Sequence, residues 1–229
     1  MQDEQLAAIR QKIDHIDAEL LALIKDRMAL SAEVSRTKGA DKAIFRPGRE
    51  AEMFARLADR KGELPFEFVG GLWRVIISAS IALQKPDFSV ASTQSCFADA
   101  LGLAAGQFIV HPPYQTPAEL YSSLLAGTSD IALVSRDELL QIIPDILADP
   151  HAQIIASISS NSQDLGVISC FVLACTPTDD TVHDVVVLYE KSTDQLMFKP
   201  LEEYQNQLSE NGENWQYLGR FARVQHATE

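Results

Sequence analysis

The sequence predicts two unlike parts, an all-α domain of three helices over residues 1–86 and a small α/β domain over residues 90–229. The first part consists of long helix-forming stretches, whereas the second carries most of the prolines and short β-branched runs that alternate with helical segments. Between them lies the segment QKPDFSV (84–90), in which Pro86 ends a helix. A chain of 229 residues is long enough for two small domains.

The first helix is expected from about Gln5 to Lys38, where the chain has neither proline nor glycine. Its apolar residues recur in steps of three and four, which is a heptad pattern: Leu6, Ile9, Ile13, Ile16, Leu20, Leu23, Leu30 and Val34. Such a helix extends for about 50 Å, farther than two shorter helices can cover. The uncovered part of the stripe predicts pairing with a second chain, which a plain coiled-coil dimerisation module would also explain.

Arg27 breaks this pattern, because it occupies a core position of the heptad. It can be a structural arginine that reaches solvent or an acidic partner, or a cation placed to hold an anion. The second helix, predicted for residues 45–61, raises a similar question. On it Glu50 shares a face with Met53 and Leu57, so a carboxylate points towards the core.

The third helix, predicted for residues 66–85, is strongly apolar, with a core stripe of Leu72, Trp73, Ile76, Ile77 and Leu83. Ser80 and Gln84 continue one row of this stripe and should face inward. A buried glutamine must find hydrogen-bond partners or lose free energy. Together with Arg27 and Glu50, these inward polar residues predict a binding site rather than unrelated structural features.

The charge is unevenly distributed along the chain. Residues 1–89 carry 14 basic and 14 acidic residues, which leaves 5 of the 19 basic and 18 of the 32 acidic residues for residues 90–229. The acidic excess makes nucleic acid and anionic membranes poor candidates as partners. An anionic small molecule would be expected to bind the first part.

The remaining composition points to a cytoplasmic protein. We expect no membrane span in the chain, and no secretory signal in its first residues, MQDEQLAAIR. The cysteines, Cys96, Cys170 and Cys175, have no metal or redox spacing and are expected to be buried thiols in a reducing compartment. His111, His151 and His183 are scattered and are expected to be structural or exposed.

Residues 5–85 resemble the all-helical class of chorismate mutases. The resemblance lies in Arg10 of LAAIRQKID, Arg27 of LIKDRMALSAEV, Lys38 of SRTKG, Arg49 and Glu50 of RPGREAE, and Ser80 and Gln84 of SASIALQ. One position departs from the pattern: many members have an aspartate three residues before the Arg-Glu pair, where this chain has Arg46. The hydroxyl-binding contact is therefore the part of the site that the resemblance supports least.

The resemblance implies a unimolecular rearrangement of chorismate to prephenate that needs neither a nucleophile nor a proton donor, and so neither a cofactor nor a metal. The protein would hold a dicarboxylate in a compact conformer and stabilise charge on the ether oxygen. By analogy with the family, Arg10 and Arg27 bind the carboxylates, Lys38 and Gln84 donate to the ether oxygen, and Glu50 accepts from the ring hydroxyl. Supporting contacts would come from Arg46, Arg49 and Ser80.

Geometry assigns Arg10 and Lys38 to different subunits. They are 28 residues apart on one helix, which is about 42 Å and too far for one small acid to span. If both serve one site, Arg10 comes from the partner chain, and a homodimer intertwined through the first helix holds two composite sites.

Residues 90–229 predict a small mixed sheet with flanking helices. Strands are expected at 108–113, 130–135, 152–158, 169–175 and 183–190, and helices at 116–127 and 136–147, the first of them capped by Thr116. This part faintly resembles a degenerate prephenate dehydratase domain. However, the Thr-Arg-Phe segment of dehydratases would be Ser169-Cys170-Phe171 here, which argues against dehydratase activity.

Two alternatives stay open from the sequence. Isochorismate-pyruvate lyases share the helical fold and several of its cations. A non-catalytic helical dimerisation module with an acidic ligand-sensing domain would also explain the heptad pattern and the charge distribution. Turnover of chorismate with identification of the product separates these possibilities.

Overall fold

The computed structural model describes residues 2–38, 43–159, 168–176, 184–200, 203–204 and 215–222. Its helices are α1 (Gln2–Lys38), α2 (Pro47–Arg60), α3 (Phe66–Gln84), α4 (Phe97–Ala104), α5 (Pro117–Leu125) and α6 (Arg136–Ala148). Its strands are β1 (Ser89–Ser92), β2 (Ile109–Val110), β3 (Ile131–Val134), β4 (Gln153–Ser159), β5 (Ile168–Ala174), β6 (Asp184–Glu190), β7 (Gln195–Pro200) and β8 (Trp215–Ala222). The helix-rich beginning and the α/β region that follows it are as predicted.

α1 is one continuous helix of 37 residues and belongs to a compact unit of its own, residues 1–42. Its heptad residues are exposed to solvent, with exposed fractions from 46% at Leu6 to 65% at Leu23. A stripe of large apolar side chains of this length is unusual on a monomeric protein. Pairing of this helix with a second chain stays a prediction.

The second unit, residues 43–229, is built around one eight-stranded sheet in the order β2-β1-β3-β5-β4-β8-β6-β7. β1 pairs in parallel with both β2 and β3, and β4 pairs in parallel with β8. The other pairings are antiparallel. The mixed sheet expected from the alternation of strands and helices is confirmed.

The two faces of the sheet carry separate cores, as the alternation of side chains along a strand requires. On β3, Ala132 and Val134 belong to the core that α5 and α6 cover. Ile131 and Leu133 belong to the opposite core, which α4 and α3 cover. Partly buried side chains of α2 pack against that second core as well.

α3 packs against one face of the sheet through part of its predicted apolar stripe. Ile76 and Ile77 are buried as expected, whereas Leu72 and Leu83 are 45% and 64% exposed. Ile77 contributes to the core shared with α4, and Ser78 Oγ donates to the carbonyl of Leu103 at 3.0 Å. The helix thus buries one face against the α/β region and leaves another apolar face exposed. The domain boundary between residues 86 and 90 stays a prediction.

By length and composition alone α3 could cross a bilayer, since it has 19 residues with a mean hydropathy of 1.5. The expectation that the chain has no membrane span therefore stays a prediction. One such helix is weak evidence for a membrane span, because core helices of soluble proteins share this composition. The buried face of α3 packs against protein, with Ile77 and Ile81 in the core beneath the sheet.

The expected state of the cysteines is also corrected. Cys96 and Cys170 form a disulfide between residues 74 apart in sequence, and Cys175 is exposed. Sequence spacing does not indicate this pair, because the two cysteines come together only when the sheet forms. Cys170 lies on β5 and Cys96 ends the short 3₁₀ turn that precedes α4, with their Cα atoms 6.3 Å apart.

Local signals position the helices of the α/β region. Thr116 caps α5, as predicted, and forms a reciprocal capping box with Glu119. Ser135 and Glu138 form the same box at the start of α6. The predicted strands match β2 to β6, except that residue 183 at the start of the last one lies outside the described residues. Four elements were not predicted from the sequence: β1, α4, β7 and β8.

Candidate functional site

Three of the predicted site residues lie on α1. Arg10 is exposed, Arg27 is half-buried, and Lys38 is the last residue of the helix, with a side chain outside the described part of the structure. Because α1 is unbroken from Gln2 to Lys38, Arg10 and Lys38 lie about 42 Å apart along it. The geometric premise for assigning them to different subunits therefore holds.

The other five lie on α2 and α3 or directly before α2. Arg46 occupies the N-cap position of α2, and its carbonyl accepts from the backbone N–H of Glu50 at 3.1 Å. Pro47 fits the first helical position, where its missing N–H is not needed. Arg49 is exposed, whereas Glu50 turns inward with its side chain 11% exposed. The prediction that Glu50 faces inward is confirmed.

The carboxylate of Glu50 meets a cation from the neighbouring helix. Nη1 of Arg74, on α3, donates to Oε2 of Glu50 at 2.6 Å, and the Arg74 side chain is 24% exposed. The Arg74 guanidinium lies 5.1 Å from the centroid of the Phe54 ring on α2. The other oxygen of Glu50, Oε1, is buried, and within the described residues it has no hydrogen-bond partner. The Glu50 carboxylate thus has one oxygen, Oε2, fixed by Arg74 and one oxygen, Oε1, unused.

The last turn of α3 carries Ser80 and Gln84 as predicted. Ser80 is 5% exposed and its hydroxyl donates to the carbonyl of Ile76 at 2.8 Å. Gln84 is half-buried, and its Nε2 donates to the carbonyl of Ser80 at 3.0 Å. The amide of Gln84 therefore folds back along its own helix, with a second N–H left to point elsewhere.

The end of α3 is tied to the sheet immediately after Gln84. Nζ of Lys85 pairs with Oδ1 of Asp130 at 2.5 Å, and Oδ2 of Asp130 accepts from the backbone N–H of Ser89 at 2.8 Å. Asp130 directly precedes β3, and Ser89 begins β1. One carboxylate thus joins α3 to two parallel strands.

Arg74 was not among the residues predicted from the sequence. The available signal was a single basic residue within the apolar stretch GGLWRVIIS. Such a residue on a helix that buries its neighbours calls for an acidic partner. The partner is 24 residues away and on another helix, so sequence spacing could not identify it.

One group of side chains has the composition of a metal site. Ligand atoms of Cys96, Asp99 and Cys170 lie within 4.8 Å of one another. Cysteine binds metals as a thiolate, and the two sulfur atoms here are joined in a disulfide. In that form the group offers one carboxylate, which is too few ligands for a metal centre.

Among the described residues, His111 and His151 take no part in these clusters. His111 contacts the carbonyl of Thr128 through Nε2 at 3.1 Å, and His151 is exposed and pairs with Asp149. His183 lies outside the described residues. His111 and His151 thus have the structural or exposed roles expected of them.

Comparison with known proteins identifies the helical segment. Residues 9–85 match the family described as chorismate mutase type II. They therefore form a chorismate mutase type II domain of the all-helical class, and the resemblance found over residues 5–85 is confirmed. No solved structure matches the chain significantly.

Curated relatives are named bifunctional chorismate mutase/prephenate dehydratase. The protein from Stutzerimonas stutzeri is 31% identical over 140 residues, covering 57% of this chain and 38% of the relative. The protein from Pseudomonas aeruginosa is 30% identical over the same shares. The protein from Neisseria gonorrhoeae is 39% identical over 85 residues, 37% of this chain and 23% of the relative.

The chain thus matches well under half the length of these relatives. A match over 57% of 229 residues is longer than the stretch that ends at Gln84, so the similarity extends into the α/β region. That region retains a sequence relationship to bifunctional proteins.

Proposed function

We propose that this protein is a chorismate mutase of aromatic amino acid biosynthesis, which rearranges chorismate to prephenate. The observation that carries the proposal is the match of residues 9–85 to the chorismate mutase type II family. The cations and hydrogen-bonding groups that the family uses are present in that segment at Arg10, Arg27, Lys38, Glu50 and Gln84. The reaction breaks and forms bonds within one molecule, so positioning and electrostatic stabilisation are sufficient.

The proposed roles follow the charges of the residues. Arg10 and Arg27 bind the two carboxylates, and Lys38 and Gln84 donate to the ether oxygen as negative charge grows there. Glu50 accepts from the ring hydroxyl. The unused Oε1 of Glu50 supports this role, because a buried carboxylate oxygen without a donor is stabilised by a ligand that brings one.

Arg46, Arg49 and Ser80 support the substrate pocket in this proposal. Arg46 is the departure from the family pattern and places a cation where many members have an acid. Its carbonyl begins the hydrogen bonding of α2, so its backbone helps to set the position of Glu50.

The active form is a homodimer in which each site takes Arg10 from the partner subunit. The exposed heptad residues of α1 support the dimer, because they need a second apolar surface. The separation of about 42 Å between Arg10 and Lys38 supports the donation of Arg10 from the partner subunit. A second copy of the chain supplies both the surface and the missing cation.

The α/β region does not dehydrate prephenate in this proposal, although the relatives' names include that activity. At the segment that resembles Thr-Arg-Phe, Cys170 is held in a disulfide, and Phe171 is fully buried with its ring stacked on Phe198. No cation stands in this segment to bind a carboxylate. The acidic excess of residues 90–229 also repels a dianionic substrate.

We place the protein in the cytoplasm, where this biosynthetic reaction belongs. The disulfide between Cys96 and Cys170 is unusual for a reducing compartment. Alkylation of free thiols in freshly lysed cells, followed by mass spectrometry, measures its state there. A disulfide that is complete in freshly lysed cells would indicate an oxidising compartment and contradict a cytoplasmic location.

The full-length protein is given chorismate, and in a parallel reaction isochorismate, and the products are identified. We expect prephenate from chorismate without phenylpyruvate, and no pyruvate from isochorismate. Lys38→Ala should lower the rate by about 10²–10³-fold, because it removes one donor to the developing charge. Pyruvate release would instead favour a lyase, and no turnover of either substrate would favour a non-catalytic dimerisation module.

A further inference from the structure

The two oxygens of the Glu50 carboxylate have different surroundings. Oε2 accepts from Nη1 of Arg74 at 2.6 Å. Oε1 is buried, and no donor among the described residues reaches it. A carboxylate with one oxygen engaged and the other unused cannot rotate without losing its charge-assisted hydrogen bond. The free oxygen is therefore held in one direction.

Arg74 is itself held in place. Its guanidinium lies 5.1 Å from the centre of the Phe54 ring, within the range of a cation–π contact. Phe54 lies one helical turn after Glu50 on α2, so both side chains are on the face that α3 meets. Phe54 packs edge-on against Phe66, the first residue of α3, with ring centres 6.5 Å apart. Two aromatic rings thus fix the direction of the cation.

This arrangement is more specific than a salt bridge between solvent-exposed groups. The side chains of Glu50 and Arg74 are 11% and 24% exposed, whereas the neighbouring pair of Arg56 and Glu52 on α2 is more than half exposed and 4.0 Å apart. A partly buried carboxylate needs a cation to offset the loss of water. Only Arg74 is seen to provide one for Glu50 within the described residues.

We propose that Arg74 is a positioning residue for the proposed mutase reaction: it holds the Glu50 carboxylate so that its free oxygen accepts a hydrogen bond from a hydroxyl group of the substrate. This inference rests on the proposed function. It adds a residue to the machinery that acts through Glu50 and does not touch the substrate. Its effect on turnover should therefore depend on the presence of the carboxylate.

The test is a double-mutant cycle in the full-length protein with chorismate as substrate. Arg74→Gln should lower kcat/KM by about 10- to 10²-fold, because a misdirected contact has effects of this size. In a Glu50→Gln background the same change should alter kcat/KM by less than about twofold, because the carboxylate that Arg74 orients is gone. Arg56→Gln, which removes an exposed arginine from α2, is the matched control and should leave kcat/KM unchanged.

Arg74→Lys is measured in both backgrounds as well, because Arg74→Gln leaves a partly buried carboxylate without its cation and can unfold the protein. The lysine variant keeps the charge and should retain more activity than the glutamine variant, or remain folded where that variant does not. In the Glu50→Gln background, Arg74→Lys should no longer change kcat/KM. Equal losses with and without the Glu50 carboxylate would overturn the inference and show a purely structural role.

The outcomes separate this inference from the proposed function. A wild-type protein that turns over chorismate, with folded Arg74 variants as active as wild type, overturns the inference alone. A wild-type protein that does not turn over chorismate overturns the proposed function and this inference with it.

Discussion

Gln84 is the last residue of α3, and its side-chain amide donates a hydrogen bond at any pH. One N–H is directed to the carbonyl of Ser80. If the other reaches the ether oxygen of the substrate, mutase activity should persist through neutral pH. Gln84→Glu should be active only in acid, because a carboxyl donates a hydrogen bond only when protonated. A rate–pH profile identical to that of wild type would remove Gln84 from the ether contact.

Glu138 joins the start of α6 to the loop that follows β1. Burial alone would raise the pKa of its carboxyl, but hydrogen bonds from the Ser135 backbone and from the hydroxyls of Thr93 and Ser95 outweigh burial and lower that pKa. The folded carboxyl therefore binds protons less readily than the unfolded one. Its stabilisation is fully present above the ordinary carboxyl pKa and is lost as the pH falls through the lower, folded value.

Glu138→Gln should lower the free energy of unfolding at pH 7 by about 1 kcal/mol, and the difference from wild type should shrink in acid. Glu119→Gln is the matched control, because Glu119 closes the equivalent capping box on α5 with Thr116 and is exposed. Urea unfolding of the three proteins across acidic and neutral pH makes the comparison. A Glu138→Gln effect that grows towards low pH would contradict the sign of the pKa shift.

Residue patterns predicted some contacts and missed others for a physical reason. The helical period alone shows that Glu50 faces inward and that Ser80 and Gln84 share a row, because both statements concern one helix. Arg74 and the Cys96–Cys170 pair depend on packing between distant segments. Local spacing carries no information about such partners.

At the scale of elements, the carboxylate of Asp130 connects α3 with β1 and β3. It binds Nζ of Lys85 at 2.5 Å and the backbone N–H of Ser89 at 2.8 Å. Lys85 follows directly on the turn that carries Gln84, and Ser89 begins β1. The α/β region thus helps to fix the end of a helix that carries proposed site residues. Removing the charge of Asp130 should therefore lower both the stability of the protein and the turnover of chorismate.

Asp130→Asn should lower the free energy of unfolding by about 1 kcal/mol, a modest value because Lys85 is partly exposed. It should also lower kcat/KM for chorismate, because the last turn of α3 loses its attachment. Asp87→Asn, at an exposed position close by, is the control and should change neither quantity. An Asp130→Asn protein with reduced stability but unchanged kcat/KM would show that the attachment does not reach the site.

The predicted elements were correct where a segment is long and periodic, and missed where pairing decides the structure. α1, α2 and α3 follow from heptad and 3.6-residue patterns. β1 has only four residues, all small or β-branched, and becomes a strand because β2 and β3 lie on either side of it. β7 and β8 likewise depend on their pairing with β6.

The net charge differs between the two parts of the chain, because residues 1–89 carry equal numbers of basic and acidic residues and residues 90–229 carry mainly acidic ones. All five basic residues that we propose for the site belong to residues 1–89, and residues 90–229 carry the negative excess. Within the acidic part, the backbones of β4 and β8 approach each other closely at Ile154 and Gly219. Gly219 has a φ of +147° there, and an added Cβ would lie 2.6 Å from the backbone nitrogen of Ile154.

If a mutase site is shared between two copies of the chain, mixing of inactive subunits should rebuild it. Arg10→Ala and Lys38→Ala homodimers, each inactive, are combined under conditions that exchange subunits, and chorismate turnover is measured. Each heterodimer then holds one site with both wild-type residues, so activity should recover to at most about a quarter of the wild-type value. Demonstrated heterodimers without any recovery of activity would contradict the shared site.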